Sequence, residues 1–432
     1  MASAISSATQ ASKMIHPIAA PLRPIRAALS AVAALALAAC VSTSPPPAPP
    51  PPSPAPGVAD AAALLPAIYR PAAWSELPGI EQDPLREAWP AIMVGCKAFA
   101  AKAAASDAVR AWQRICVAAG KVDGRDEASV RTFLGTHFSP YQVSFPDGRE
   151  QGLVTGYYEP RLDGSRTRTA RFNVPLYAQP DDLLVVELAD LHPELKGRRV
   201  RARIEGRRVV PYWSRSEIET GLAPLGDKVL AWLADPVDAF FLQIQGSGRI
   251  ELADGSVMRV GYADQNGHPY RSIARVLVDR GEMTLAGSSM QAIREWGRKN
   301  AAQLPALLDE NPSYVFFREV PPAAPGSIEA AIDGPIGSFG VPVLARRTIA
   351  VDPRSIPLGT PVWLATTLPL SDRRLERLVI AQDTGGAIRG AVRADYFWGF
   401  GDEAGREAGR MRQQGRLWML WPNDTPLPGS PR

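Results

Sequence analysis

Cysteine and histidine are scarce in this 432-residue sequence. It holds three cysteines (Cys40, Cys96, Cys116) and four histidines (His16, His137, His192, His268). No C-x-x-C or H-x-x-x-H pair occurs among them, so the spacings of structural and catalytic zinc sites are missing, and neither a metal nor another cofactor is expected. His16 lies in the leader; the other three read as surface or hydrogen-bonded structural residues. A large excess of one charge is also missing: 48 basic against 44 acidic side chains leave a net charge of +4. That is too little for a nucleic-acid partner, although a mild positive balance suits an anionic polymer. The one basic cluster, Lys196 to Arg208, is short and interrupted and reads as a solvated strand face. No apolar run reaches the roughly 20 residues that a membrane span requires. No internal repeat is visible.

What is present begins with an address. Lys13, Arg23 and Arg26 precede an apolar run, Ala27 to Ala39, that ends in small residues, as a secretory signal does. The run closes as Leu37-Ala38-Ala39-Cys40, which resembles the lipobox of bacterial lipoproteins. Residues 1–39 are therefore expected to be a signal peptide and Cys40 a lipidated first mature residue. The alternative is an ordinary signal with a chance cysteine. Residues 40–60 are proline-rich, a semi-rigid tether suited to holding a folded body off a membrane. Val41 and Ser42 are not acidic, which favours an outer-membrane lipoprotein facing the periplasm. In that oxidising compartment Cys96 and Cys116, each on an amphipathic helical pattern, are a candidate disulfide if two antiparallel helices bring them together; two buried free thiols are the alternative.

The body, 46% hydrophobic and 21% charged over the whole chain, has ordinary globular composition. Residues 60 to about 135 read as helical. Beyond about 140, short β-rich runs alternate with glycine, proline and aspartate: 152–158, 173–177, 200–204 and Phe240 to Ile244. Helices are expected at Ser272–Gly281 and Ser288–Leu304, the latter capped by Ser288 or Ser289. Pro321 to Pro325 breaks the chain. Strands follow at 341–344, 348–351, 362–365 and 378–381, then a helix near 403–413 with Asp402 as its cap, then a last strand, 417–421.

The chemistry concentrates in Gln382-Asp383-Thr384-Gly385-Gly386-Ala387-Ile388-Arg389-Gly390 and in Arg393-Ala394-Asp395-Tyr396-Phe397-Trp398-Gly399. A carboxylate ends an apolar strand, a glycine turn follows, and a second carboxylate lies in an aromatic cluster. Such a turn can return the chain so that both carboxylates line one cleft. Aromatic faces stack on sugar rings, and a carboxyl near a like charge and apolar neighbours is held protonated, ready to act as a general acid. Each also has a plain structural reading, Asp383 as a ligand of its own turn's amides above all. Asp352 reads as a turn former or the partner of an arginine. Asp383-Thr384-Gly385 is also the core of the aspartic protease signature, but that chemistry shares one proton between two such aspartates and no second Asp-Thr/Ser-Gly exists here.

Three stretches, Ala350 to Leu364, the Asp383-Thr-Gly-Gly-Ala-Ile388 turn and Arg393 to Gly399, resemble the three-aspartate module that closes the membrane-bound lytic murein transglycosylase A family. Gly156-Tyr-Tyr-Glu-Pro160, Gln243-Ile-Gln-Gly-Ser-Gly248, Gly261 to Tyr270 and Asn311 to Phe317 extend the resemblance over about residues 70 to 421, in order. It implies a mainly β fold: a double-psi β-barrel catalytic domain with a second β-rich domain inserted, plus N-terminal helices. On this reading residues 61–160 hold the helices and the first part of the barrel, 161–320 the insert and 321–432 the rest of the barrel. The resemblance also implies peptidoglycan glycan strands as substrate, other cell-wall enzymes as conceivable partners, and one catalytic aspartate. By motif that residue is Asp395, with Asp383 beside it. Tyr157, Tyr158, Gln245, Gly246, Ser247 and Asn311 are candidate substrate contacts, against a reading as ordinary barrel packing. The rival functions are an inverting glycoside hydrolase using both aspartates and a non-catalytic wall-binding lipoprotein on an expansin-like barrel.

Overall fold

In the computed structural model, which describes residues 67–104, 106–195, 200–284 and 287–429, the body opens on a strand rather than a helix. β1 (Ile68–Pro71) pairs antiparallel with β2 (Phe138–Ser144). Helices Trp89–Ala100, Asp107–Ala119 and Glu127–His137 fill the interval, the last two started by the Ser106 and Asp126 side chains accepting from backbone N–H groups. Cys96 and Cys116, on the first two helices, are bonded, with Cα atoms 5.3 Å apart.

After β3 (Gly152–Glu159) the chain leaves for β4 (Arg161–Ser165), β5 (Val174–Tyr177), β6 (Leu184–Val186), β7 (Val200–Glu205), β8 (Arg208–Pro211), β9 (Val229–Leu233), β10 (Ser247–Leu252), β11 (Val257–Gln265) and β12 (Val315–Glu319). These form a six-stranded sheet, β12-β11-β10-β4-β9-β5, and a small β6-β7-β8 sheet. The chain then returns through β13 (Thr348–Val351), β14 (Pro361–Thr367), β15 (Arg374–Asp383), β16 (Ala394–Phe400) and β17 (Arg412–Pro422). β17 closes a ring. Its later residues pair with β14 and its first four with β3, so that β3-β16-β13-β15-β14-β17 returns to β3. The fold is mainly β with few helices.

The ring is buried on both sides over much of its extent, which is why residues 362–365 of β14 and 378–381 of β15 read as apolar runs. Val362, Leu364, Val379, Leu417 and Met419 point inward with Val154, Ile349 and Tyr396. Their neighbours Trp363, Leu378, Ile380, Trp418 and Leu420 pack outward against the N-terminal helices. At the end of β3, Glu159, only 1% exposed, takes Arg249 of β10 (2.8 Å) and Arg259 of β11 (3.4 Å), and both arginines also bind Asp333. This ionic cluster, with Glu159 buried at its centre, ties the six-stranded sheet to the ring.

Several local expectations need correction. Phe240 to Ile244 is helical, inside Pro236–Gln245: Asp235 caps it by accepting from the amides of Val237 and Asp238, Pro236 starts it, and Gly246 ends it at φ 76°. A five-residue apolar run fits either structure, and the Asp-Pro start and glycine stop decide it. Residues 341–344 make only an isolated bridge, Ile336 with Pro342, a residue that has no N–H to donate. The helix expected over 288–304 ends at Lys299, and Leu304–Asp309 is a separate turn of helix. The helix before β17 spans Gly401–Arg410, so Asp402 lies in its first turn instead of capping it. The signal, Cys40 and the tether lie outside the described residues.

Candidate active site

Strand alternation sorts the polar groups onto one face. Val154 and Tyr158 of β3, Ile349 and Val351 of β13, and Ala394, Tyr396 and Trp398 of β16 all join the interior core. Thr155, Tyr157, Ala350, Asp395 and Phe397 therefore share the opposite face. Register puts four residues in line across four strands: Ala350 is opposite both Asp383 of β15 and Asp395 of β16, and Asp395 is opposite Thr155 of β3. Asp383 joins the line because the register slips between Ile349 and Ala350 and bypasses Gln382, whose side chain is tied to Ala91 O and Thr348 Oγ1. With strands roughly 4.8 Å apart, two carboxylates straddle a single alanine methyl. Behind this face Gly156 is required: a Cβ there would lie 2.7 Å from Trp398 Nε1 and 2.9 Å from Ala408 Cα.

The two carboxylates are supported unequally. Asp383 Oδ1 accepts from Ser338 N (2.9 Å), Ser338 Oγ (2.8 Å) and Thr384 N (2.9 Å). Asp395 Oδ1 accepts from Thr155 Oγ1 at 2.5 Å, and no ion pair to it occurs among the described residues. Burial pushes both carboxyls above the usual range. At Asp383 the donors from Ser338 and Thr384 work against that rise; at Asp395 Thr155 and the nearby Arg393 do so, while Asp383 adds to it. Hydrogen bonding therefore favours the ionised form at Asp383 through three donors and at Asp395 through one. Both are walled in by protein but keep some solvent-facing surface. The Tyr157 hydroxyl is buried and faces both carboxylates, with Asp383 as its hydrogen-bonding neighbour; burial and the two carboxylates hold its pKa well above 10. Its ring lies 5.0 Å from that of Phe397.

The other expected residues divide. Tyr158 turns into the core behind the sheet, its hydroxyl on Met290 Sδ, and so does not share a face with Tyr157. Gln245 accepts from Tyr158 N (3.1 Å), which sets the Gln245-Gly246-Ser247 turn against β3. Asn311 is buried within the insert, where its side chain accepts from the amides of Arg271 and Ser313. Asp352 pairs with Arg354 (2.6 Å) and accepts from Gly390 N (2.9 Å); burial would raise its pKa, but these partners outweigh that and lower it, so it anchors the glycine turn. Thr155, Ser338 and Arg393 were not singled out in advance. Arg393 opens the stretch that runs to Gly399 and Thr155 lies beside the Gly156-Tyr157-Tyr158 motif, but neither residue carries a signal of its own, and Ser338 lies in no motif. A separate cavity of about 390 Å³, lined by Arg161, Asp163, Asp238, Arg294 and Asp402 among others, contains neither Asp383 nor Asp395.

Comparison with known proteins identifies relatives for most of the described chain. Residues 153–318 match the MltA specific insert domain and residues 347–421 the 3D domain. The membrane-bound lytic murein transglycosylase A of Escherichia coli (strain K12) is 34% identical over 324 residues, covering 73% of this chain and 74% of the relative. The crystal structure of MltA from Neisseria gonorrhoeae (monoclinic form) superposes with a TM-score of 0.72 at 36% identity, over 84% of this chain and 95% of that one. E. coli MltA with bound chitohexaose gives 0.57 at 30% identity, over 83% and 95%. The chain belongs to the membrane-bound lytic murein transglycosylase A family.

Proposed function

We propose that this protein is a lytic murein transglycosylase that cleaves the β-1,4 bond between N-acetylmuramic acid and N-acetylglucosamine in peptidoglycan and leaves a 1,6-anhydromuramic acid end. The observation that carries the reading is the line Asp383–Ala350–Asp395 on one partly open face, with one carboxyl well supplied with donors and the other poorly supplied. Protonated Asp395 gives its proton to the bridging oxygen. The C1–O bond breaks, its electron pair stays on the departing N-acetylglucosamine oxygen, and positive charge develops at C1. The Asp395 carboxylate then removes the proton of the muramic C6 hydroxyl, whose oxygen bonds to C1. No water is consumed, and Asp395 ends as it began. Asp383, whose three donors favour the carboxylate, stabilises the charge at C1 through space when ionised. The intramolecular nucleophile gains the rate advantage of proximity. Tyr157 and the Gln245–Ser247 turn grip the sugar hydroxyl and acetamido groups. Binding of chitohexaose, an N-acetylglucosamine oligomer, by E. coli MltA supports a glycan partner.

The finer architecture follows the same reading. A six-stranded ring that mixes parallel pairs (β3–β16, β13–β15) with antiparallel ones supports a double-psi β-barrel path, with residues 161–320 as an inserted domain. No helix among the described residues is long and apolar enough to cross a membrane. The Leu37-Ala38-Ala39-Cys40 motif and the proline-rich stretch after it support a lipid on Cys40 as the anchor, in an outer-membrane lipoprotein facing the periplasm. Cys40→Ala is expected to move the protein from the membrane to the soluble fraction; continued membrane fractionation would count against the lipid.

Mass spectrometry of the fragments released from purified sacculi tests the activity. Anhydro ends, lighter by one water than reducing ends, are expected. Reducing ends would establish a hydrolase instead, and bound protein without release would establish a wall-binding module.

A further inference from the structure

The geometry points to Arg393 and Thr155 as a hydrogen-bond relay that fixes which oxygen of Asp395 carries the catalytic proton. The inference rests on Asp395 being the acid. Arg393 Nη2 lies 2.9 Å from Thr155 Oγ1, and Thr155 Oγ1 lies 2.5 Å from Asp395 Oδ1. A guanidinium only donates, whereas a threonine hydroxyl has one proton and two acceptor sites. The Arg393 contact therefore occupies a lone pair of Thr155 and turns its single proton toward Asp395 Oδ1. An oxygen already accepting that proton is the poorer place for a second one, so the acidic proton resides on Oδ2.

The relay is held from behind. Arg393 Nη1 donates to Ala394 O (2.5 Å) on β16 and Leu153 O (3.4 Å) on β3, so the guanidinium spans the two strands that carry Asp395 and Thr155. Thr155 and Asp395 are direct register partners, which leaves the hydroxyl little freedom to turn elsewhere. The groups facing Asp395 from the packed elements are Arg393 just before its own strand, Asp383 from β15, Tyr157 and Thr155 from β3, and uncharged Ala350 from β13. Thr155 and Arg393 favour the ionised form and Asp383 opposes it. Thr155 and Arg393 are thus positioning residues that act through Asp395.

The test is the pH dependence of turnover on soluble, uncrosslinked glycan strands, read as kcat and KM separately. Asp395 must be protonated to act, so activity falls as pH rises through its pKa. Removing a donor to the carboxylate raises that pKa, and the falling limb moves to higher pH. Thr155→Val is expected to shift the limb up by about one pH unit and to lower kcat roughly tenfold, with KM within about twofold. Thr155→Ser restores both values. Arg393→Met, which frees the Thr155 hydroxyl to rotate and removes a nearby positive charge, shifts the limb in the same direction. A folded Thr155→Val with the parental limb overturns the relay. If Thr155→Val does not fold, an unshifted limb in Arg393→Met overturns it equally. Failure of the underlying reading looks different: Asp395→Asn would then remain active, whatever the Thr155 variants do.

Discussion

Asp395→Asn is expected to lower the release of anhydro-ended fragments by about 10²–10⁴-fold, the range that a placed proton donor contributes, while the protein still sediments with purified sacculi. The substitution is a narrow one. The amide keeps the shape of the carboxyl, and its oxygen can still accept from Thr155 Oγ1 in the place of Asp395 Oδ1. What disappears is the exchangeable acid proton, which an amide cannot deliver to a glycosidic oxygen. Asp383→Asn makes the informative contrast. Its three donors converge on a single oxygen, Oδ1, which an amide oxygen can replace, so the Ser338 loop and the glycine turn stay in place and only the negative charge is lost. That variant should retain clearly more turnover than Asp395→Asn. Initial rates of the two variants, measured side by side on the same sacculi, check the order. The reverse order would make Asp383 the acid and Asp395 its support.

The proposed catalytic line is legible in the sequence to the extent that it is local. Asp383 and Asp395 could be picked out because each closes or opens an apolar strand and a glycine turn joins them within twelve positions (395 − 383). The groups that tune them were not legible. Thr155 is 240 residues from Asp395 in sequence and Ser338 is 45 from Asp383, and they meet only because the ring brings β3 and the loop before β13 to those positions. Nothing about an isolated threonine in a strand announces such a contact. The same distinction separates Tyr157 from Tyr158. Both lie in one motif, but the two-residue period of a strand sends them to opposite faces, and only the location of the core tells which face matters. Ala350 drew no attention as a single small residue, and its place between two carboxylates depends on a bulge that skips Gln382. Local punctuation that was present was also under-read: Asp235-Pro236 and Gly246 bracket a helix around the run at 240–244.

Arg347→Met is expected to destabilise the fold by about 3–5 kcal/mol, the cost of stranding one half of a buried ion pair. Arg347 and Asp83 are 2% and 5% exposed, and the guanidinium meets the carboxylate with two contacts, Nη1 to Oδ2 at 2.7 Å and Nη2 to Oδ1 at 2.9 Å. Arg347 also donates to Leu378 O (3.1 Å), and Asp83 accepts from Leu378 N (2.9 Å), so the pair stitches the segment before the first helix onto β15. With methionine at 347, Asp83 keeps one backbone donor for a charge that water cannot reach, whereas half-exposed Glu87, the other partner of Arg347, can turn to solvent. The double variant Asp83→Leu with Arg347→Met removes both charges and should recover most of the loss, because desolvation, not attraction, sets the size of the single-variant effect. Denaturant midpoints of the two single variants and the double variant measure this directly. A double variant no more stable than Arg347→Met would mean that packing around the arginine stem, rather than the stranded carboxylate, carries the penalty. The position of the pair gives it a second consequence. Arg347 leads directly into Thr348–Val351, the short strand whose Ala350 separates the two carboxylates. Loss of turnover in Arg347→Met should therefore follow the unfolded fraction as denaturant is added, with an unchanged pH profile in the fraction that remains folded, and this sets it apart from the Thr155 variants, in which the profile itself moves.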